Sequence, residues 1–340
     1  MSKIKVIGVD LGKSSFHICA FDSASHILFK QKLSRQQLIH LLSTTEPTTI
    51  AFEACGGAHW LARKCEGLGH QSKLIPPQYV KPYVKTNKND FVDAEAIAEA
   101  STRPNMRFVH PKTEEQQIMA VCHRVRSGYV AERTAVMSRI GATLLEFGLA
   151  LPIGHAKMKQ LFSWLANQRH AAIPPLLIRE LELMHRDYLH LNERIAEQDK
   201  KIKEWAKQNE LCELLKSIPG VGDMVATSLV MEIGSGTQFK NGREMAAWMG
   251  LVPAQYSTGG KQKLLGISKR GNTSLRCLFV HGARAMLSRL GRNDGPYDAW
   301  LIRLRGTKPF NVACVALANK LARIAWAVLT SKTPFTRTAF

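Results

Sequence analysis

The sequence predicts a mixed α/β domain followed by two mainly helical domains, and three observations support this. The first 110 residues alternate short apolar runs with turn residues, as strands and short helices do. The next 100 residues carry apolar side chains at the 4,3 spacing of long packed helices. From residue 211 glycine-rich turns separate apolar helices. We therefore expect domains at 1–110, 111–210 and 211–340.

In the first domain, three antiparallel strands are predicted to precede alternating helices and strands. Apolar runs bounded by turn residues predict strands at 4–9, 16–21, 27–32, 48–52 and 72–75. Helical spacing predicts helices at 33–42, 58–67 and 90–101. This order of elements is typical of a mixed α/β domain.

The middle domain is predicted to contain a long helix with a heptad seam. Its apolar positions run over four heptads, interrupted only by Gln198: Leu177, Leu181, Met184, Tyr188, Leu191, Ile195, Ile202 and Trp205. A weaker stripe of similar spacing covers residues 118–147. The pattern fits two uses equally well: packing within the chain, or a coiled coil that joins two protomers.

The C-terminal domain is predicted to contain a helix-hairpin-helix-like turn at residues 218–222. The amides of Gly220 and Gly222 can approach a phosphate backbone closely, because glycine has no side chain. A plain turn between two helices would show the same residues. A basic loop that reaches Arg270 and helices near 273–290 and 311–330 follow.

The charge of the chain predicts a polyanionic partner. The 340 residues carry a formal net charge of +20, and residues 251–340 hold 15 basic and two acidic side chains. A surplus of this size favours nucleic acid, because each neutralised phosphate releases counterions. A solubilising surface is the alternative, although such surfaces usually mix both signs.

The composition argues against several other classes of protein. Seven scattered cysteines without a CxxC pair argue against a disulfide framework and a zinc cluster. The apolar stretches are shorter than the roughly 18 residues of a membrane span. The first residues show no signal-peptide pattern. We therefore expect a cytoplasmic protein with no membrane partner.

Four carboxylates are predicted to form one site. Asp10 and Glu53 each end a predicted strand, and Asp90 and Asp93 lie one turn apart at the start of a predicted helix. Carboxylates at the ends of adjacent strands meet at one edge of a sheet, and a helix across that edge brings two more. Clustered carboxylates repel one another unless cations lie between them, and oxygen ligands suit Mg²⁺ or Mn²⁺. Alternatively, Asp10 is a turn residue, and the other two aspartates complement a helix dipole.

The chain also resembles the DEDD insertion-sequence transposases of the Piv/MooV group over nearly its whole length. The similarity lies in three acidic motifs and two C-terminal ones, in matching order: GVDLGK at 8–13, FEACGG at 52–57, KTNKNDFVDA at 85–94, IPGVG at 218–222, and GLVPAQYSTGGK at 250–261 with ISKRGN at 267–272. The joint match is highly specific.

This resemblance implies an RNase H-like N-terminal domain, similar to the Holliday-junction resolvase RuvC. It implies a recombinase that moves its own element between donor and target DNA, with Mg²⁺ held by the four carboxylates. A C-terminal serine would attack DNA to form a covalent phosphoserine intermediate, and a structured guide RNA encoded by the element would select the DNA. Many relatives have serine where this chain has Thr258, so we predict Ser257 as the nucleophile, with Thr258 as the alternative.

Basic residues that follow this hydroxyl pair are predicted to grip a nucleic-acid backbone. They are Lys261, Lys263, Lys269, Arg270 and Arg276. Arginine suits bidentate contact with phosphate. Any one of them can equally be a solvated surface charge.

Two other functions remain compatible with the sequence. One is a RuvC-like nuclease that hydrolyses Holliday junctions or other branched DNA with a metal-activated water and forms no covalent adduct. The other is a non-catalytic nucleic-acid-binding scaffold. We expect a homo-oligomer, a dimer or a tetramer, that acts at the nucleoid of a prokaryotic cell. Its carboxylates and serine are predicted to meet in one composite site.

Overall fold

The computed structural model describes residues 3–85, 89–152, 154–167, 173–291, 295 and 297–336. It divides into two compact units, Met1–Glu115 and Gln116–Phe340. The division into three domains stays a prediction. Residues 86–88, part of the third acidic motif, lie outside the described residues.

A five-stranded mixed sheet organises the first unit. Its strands are β1 (Val6–Leu11), β2 (Ser15–Phe21), β3 (Ile27–Ser34), β4 (Thr49–Glu53) and β5 (Gln71–Ile75). They lie in the order β3-β2-β1-β4-β5, with β1 to β3 antiparallel and β4 and β5 parallel to β1. Short turns suffice for the antiparallel strands, whereas the parallel strands need helical crossovers. The predicted mixed α/β fold is confirmed, and it is compatible with an RNase H-like domain.

Helices cover both faces of this sheet. They are α1 (Arg35–Thr44), α2 (Ala58–Gly67), α3 (Pro77–Val80), a 3₁₀ turn (Lys81–Tyr83) and α4 (Asp90–Ser101). One buried cluster joins α1 and α2 to side chains such as Ile7 and Phe52. A second cluster joins α4 to the opposite face, at Val6 and Ala51. Successive side chains of a strand point to opposite faces of the sheet, so the same strands contribute residues to both clusters.

Two long helices lead into the second unit. They are α5 (Glu114–Leu145) and α8 (Pro175–Gln208), with the short α6 (His155–Lys159) and α7 (Leu161–Ala166) between them. Arg126 pairs with Asp199, and Arg133 donates to Asn192 at 2.9 Å. These contacts, seven residues apart on each helix, show that α5 and α8 run antiparallel.

The heptad seam of α8 packs within the chain. Leu177, Leu181 and Tyr188 share a buried cluster with Val136 and Ile140 of α5. Gln198, which interrupts the seam in sequence, is also buried. A coiled coil is not confirmed, because these contacts already fill the predicted seam.

Six further helices and a hairpin complete the second unit among the residues described. They are α9 (Glu210–Lys216), α10 (Asp223–Ile233), α11 (Gly242–Trp248), β6 (Pro253–Gln255), β7 (Leu264–Ile267), α12 (Thr273–Leu287), α13 (Asp298–Thr307) and α14 (Phe310–Ser331). The helices share one apolar core. The antiparallel strands β6 and β7 occupy the region where the sequence predicted only a basic loop.

Contrary to the expectation that every apolar stretch is shorter than a membrane span, α14 has the length and apolar composition of one within the described part of the chain. Just over half of its 18-residue apolar segment, 56%, is buried inside the protein. Leu317, Leu321 and Val328 lie in the core of the second unit. Packing in this core therefore explains the apolar character of the helix, and no membrane protein is indicated.

Candidate active site

Asp10 and Glu53 lie next to each other at one edge of the sheet. The parallel strands β1 and β4 pair as far as Val9 and Phe52, both fully buried. Asp10 and Glu53 directly follow this pair, so the two strands deliver both carboxylates to the same edge.

Asp90 and Asp93 occupy the first turn of α4, which packs tightly on β1. A Cβ placed on Gly8 would come within 2.2 Å of the carbonyl oxygen of Ala94 and 2.7 Å of the Cβ of Ala98. Only glycine permits this approach. It holds the start of α4 close to the strand end that carries Asp10.

The four carboxylates share one electrostatic environment. Burial raises the pKa of Asp10, and the charges of Asp90 and Asp93 raise it further, whereas His17 lowers it. Burial also raises the pKa of Glu53, and the charges of Asp10 and Asp93 add to the shift. The structure thus brings the four predicted acidic residues together, and burial with the neighbouring negative charges disfavours the ionised state of Asp10 and of Glu53.

His17 is a residue of this site that the sequence interpretation missed. It pairs with Asp10 across the β1–β2 hairpin and is 7% exposed. Its Nδ1 lies 3.4 Å from Oδ2 of Asp90, and its ring meets the ring of Phe91 edge-on. Counting outward from the turn at residues 12–14 would have placed it opposite Asp10.

These side chains can hold a divalent cation. Asp10, His17 and Asp90 each offer one ligand atom, and the three atoms lie within 4.8 Å of one another. Carboxylate oxygens suit Mg²⁺ and Mn²⁺, and an imidazole nitrogen favours a transition metal over Mg²⁺. Two of the four predicted ligands, Asp10 and Asp90, belong to this group, and its donor chemistry is compatible with a divalent cation without identifying the ion.

The two candidate nucleophiles lie at the exposed tip of the β6–β7 hairpin in the second unit. Gln255 Nε2 donates a hydrogen bond of 2.8 Å to Ser257 Oγ. Gly259 and Gly260 have φ of 54° and 75°, and Lys261 N donates to Thr258 O at 3.0 Å. Two successive glycines with positive φ make the tight turn that joins the two strands of the hairpin.

Four of the five predicted basic residues are accessible, and the fifth is not. Lys261, Lys263, Lys269 and Arg270 are exposed. Arg276 is 8% exposed, and its guanidinium donates to Met249 O at 3.0 Å and to Arg270 O at 3.2 Å. Because these carbonyls occupy it, Arg276 holds the base of the hairpin rather than a phosphate, contrary to the prediction.

The two glycines of the predicted phosphate-binding turn differ in their surroundings. Gly220 has φ of 88°, and a Cβ there would come within 2.5 Å of Met286 Sδ. Its role is close packing with α12. Gly222 is exposed, has open space around its Cβ position and directly precedes α10. Only Gly222 is therefore open to an approaching phosphate.

Known proteins match this chain along almost its whole length. A family model described as "Transposase", for DEDD enzymes of the IS110 type, matches residues 7–148. A second, described as "Transposase IS116/IS110/IS902 family", matches residues 212–297. The chain is 45% identical to the transposase for insertion sequence element IS1328 from Yersinia enterocolitica, over 99% of this chain and 100% of the relative.

The chain belongs to the IS110/IS116 family of DEDD transposases. A second transposase of this kind, for IS1111A of Coxiella burnetii, is 40% identical over 97% of this chain and 91% of its own length. The pilin gene-inverting protein of Moraxella lacunata is 23% identical over 97% of each chain. The resemblance to DEDD transposases is confirmed, and the protein is a DNA transposase.

Proposed function

We propose that this transposase is an RNA-guided recombinase that cleaves and exchanges DNA strands with a carboxylate-bound metal and a serine nucleophile. The convergence of Asp10, Glu53, Asp90 and Asp93 at one sheet edge carries the proposal. Burial and mutual repulsion raise the pKa of Asp10 and of Glu53, so the site is best stabilised when a cation is present.

We assign Asp10, Glu53, Asp90 and Asp93 as ligands of Mg²⁺ or Mn²⁺. When bound, such an ion polarises a phosphate and stabilises the charge that develops during strand transfer. His17 supports this assignment, because its ring contacts Phe91 and its Nδ1 lies beside Asp90. The imidazole orients the Asp90 carboxylate toward the site.

We assign Ser257 as the nucleophile. Gln255 donates to Ser257 Oγ, which fixes the side chain and leaves its own proton free for transfer. Ser257 Oγ forms a bond to a DNA phosphorus while the bond from that phosphorus to the departing nucleotide oxygen breaks. The serine proton passes to a base, and the departing oxygen gains a proton. Thr258 is the alternative nucleophile at the same tip.

Exposed basic residues near this serine are proposed to hold nucleic acid. Lys261 and Lys263 lie on the hairpin, and Lys269 and Arg270 follow it. The exposed Gly222 directly precedes α10, where a phosphate can approach the backbone. A guide RNA from the element would add a second polyanion, which fits the surplus of 13 positive charges in residues 251–340.

We also propose a homo-oligomer, a dimer or a tetramer, that acts on DNA in the nucleoid. One face of α5 exposes three apolar side chains, Ile118, Val121 and Val125. A second copy of the chain can bury them in a contact separate from the heptad seam of α8, which packs within the chain. Light scattering of the purified protein measures its oligomeric state.

The nucleophile is tested by trapping the covalent intermediate. Wild-type protein, divalent metal, DNA spanning the element end and RNA from the noncoding flank are mixed and then denatured. We expect a denaturation-resistant adduct that Ser257→Ala abolishes and Thr258→Ala retains. Adduct that survives in Ser257→Ala but not in Thr258→Ala would transfer the role to Thr258. Adduct formation without RNA would contradict RNA guidance.

A RuvC-like nuclease that uses metal-activated water is the second candidate function. It is favoured by one observation: all four carboxylates belong to the first unit, so hydrolysis requires no group from the hairpin. Cleavage of branched DNA without any adduct would support it. A non-catalytic scaffold would bind DNA and cleave none.

A further inference from the structure

Large apolar side chains are exposed around the proposed nucleophile. Tyr256, directly before Ser257, is 68% exposed; Leu264, which pairs with Gln255 on the opposite face of the hairpin, is 60% exposed. The Tyr256 ring is thus an apolar group held in solvent at the hairpin tip, where a binding partner can cover it.

Strand geometry separates the tyrosine from the serine. Gln255 and Ser257 lie on one face of the strand, as their hydrogen bond shows, so Tyr256 points to the other face. Its backbone N donates to Lys263 O at 2.9 Å, which places Lys263 directly across from it. The ring and the ammonium group therefore share one side of the hairpin tip.

The partner of this surface must be both anionic and apolar. The exposed Lys261 and Lys263 attract negative charge, and the Tyr256 ring offers a flat apolar face. An unstacked nucleobase with its phosphate meets both requirements, because every base has a π face that stacks on an aromatic ring. A protein surface would have to supply acidic and apolar groups together.

We propose that Tyr256 stacks on the DNA base next to the phosphate that Ser257 attacks and holds this base out of the duplex. The proposal rests on the assigned role of Ser257. Tyr256 and Ser257 are consecutive residues on opposite faces of the strand. The phosphate of a base that stacks on the Tyr256 ring is therefore within reach of Ser257. Removing the base from the stack would free the backbone for exchange.

The test compares Tyr256→Ala and Tyr256→Phe in the rate of adduct formation, on paired DNA and on DNA with a mismatch next to the scissile phosphate. Tyr256→Ala should slow the reaction about tenfold on paired DNA, whereas Tyr256→Phe should stay within about twofold. The mismatch should restore most of the loss, because a mismatched base is already easier to unstack. Ile302→Ala removes an exposed apolar side chain, 56% accessible, from α13 and should change neither rate.

Three results would overturn the proposal: a wild-type rate in Tyr256→Ala, an equal loss on paired and mismatched DNA, or a loss of RNA binding alone. A binding measurement separates this proposal from the assigned nucleophile. 2-Aminopurine is placed at successive positions in the strand that pairs with the attacked one. Suppose that wild type forms no adduct, yet raises the fluorescence at one position more than Tyr256→Ala does. The assigned role of Ser257 would then fail, and the role of Tyr256 would stand. Equal fluorescence in the two proteins overturns the role of Tyr256.

Discussion

Asp10 is the residue on which the charge balance of the candidate metal site depends most. Its own burial and then two neighbouring carboxylates raise its pKa, whereas His17 and a backbone hydrogen bond at Leu11 lower it. Glu53 is subject to the same kind of repulsion, to which Asp10 itself contributes. The free protein therefore holds an unfavourable group of charges that a cation would relieve.

Asp10→Asn is expected to abolish strand exchange and to raise the melting temperature of the metal-free protein. The amide keeps the shape of the side chain, removes one charge from the group and weakens the metal site. Calorimetry with and without Mg²⁺ measures both effects, since the metal should raise the melting temperature of wild type only. Glu46→Gln, an equal charge change at an exposed side chain, is the control and should keep the Mg²⁺ response. An equal response in Asp10→Asn would show that Asp10 is not a ligand.

At the scale of elements, a buried histidine links the long helix α5 to α10. His123 Nε2 lies 2.9 Å from Thr227 Oγ1, and its Nδ1 lies 3.3 Å from Ser228 Oγ. Burial and the nearby charge of Arg126 together lower its pKa from 6.5 to about 4, although Asp199 acts in the opposite direction. The two helices are thus joined by a neutral imidazole.

This histidine should make the protein less stable as the pH falls from about 6.5 toward 4. In that interval the unfolded chain binds a proton at residue 123 and the folded chain does not, so proton binding favours unfolding. Urea unfolding at pH 7 and pH 5 should therefore show a smaller loss for His123→Gln than for wild type. His190→Gln changes an exposed imidazole on α8 and should follow the wild-type profile. Parallel profiles for wild type and His123→Gln would refute this link.

The β6–β7 hairpin shows how a buried base can support an exposed tip. Arg276 binds two backbone carbonyls at the base, and a Cβ on Gly271 would come within 1.8 Å of Trp248 O. Gly271 has φ of 78°, so both its conformation and its close contact require glycine. The tip with Ser257 is thereby carried on a fixed support.

At the scale of the whole molecule, the charge is divided between the two ends of the sequence. The first 110 residues carry a net charge of +5 and the last ninety +13. The basic residues around the hairpin therefore belong to the most positive part of the chain, whereas the clustered carboxylates belong to a weakly charged part.

Replacing Lys261 and Lys263 together by glutamine should reduce the salt dependence of DNA binding. Each phosphate contact that is lost should lower the slope of log K against log salt by about 0.9. Binding titrations over a range of KCl concentrations measure this slope. Lys200→Gln with Lys203→Gln removes the same charge from α8 and should leave the slope nearly unchanged. An unchanged slope in the hairpin variant would remove these lysines from the DNA interface.

Much of the first unit could be predicted from the sequence, because apolar runs and strand ends are local signals. Asp10 and Glu53 were found as acids that end buried strands. His17 was missed because its position depends on hairpin register, and the β6–β7 hairpin because its strands are short and partly polar. Arg276 resembled a surface charge in sequence, since its burial depends on the carbonyls of residues 249 and 270.

The close contact between Gly8 and α4 joins metal binding to local unfolding. Two of the four carboxylates stand on a helix whose position depends on that contact, so an opening of α4 would separate them from Asp10 and Glu53. A cation bound by all four raises the free energy of this opening by the amount with which it prefers the closed helix. The opening therefore becomes rarer when the cation is bound. The amide protons of α4 would then exchange with solvent more slowly as the metal concentration rises, and their exchange rates would report the affinity of the site.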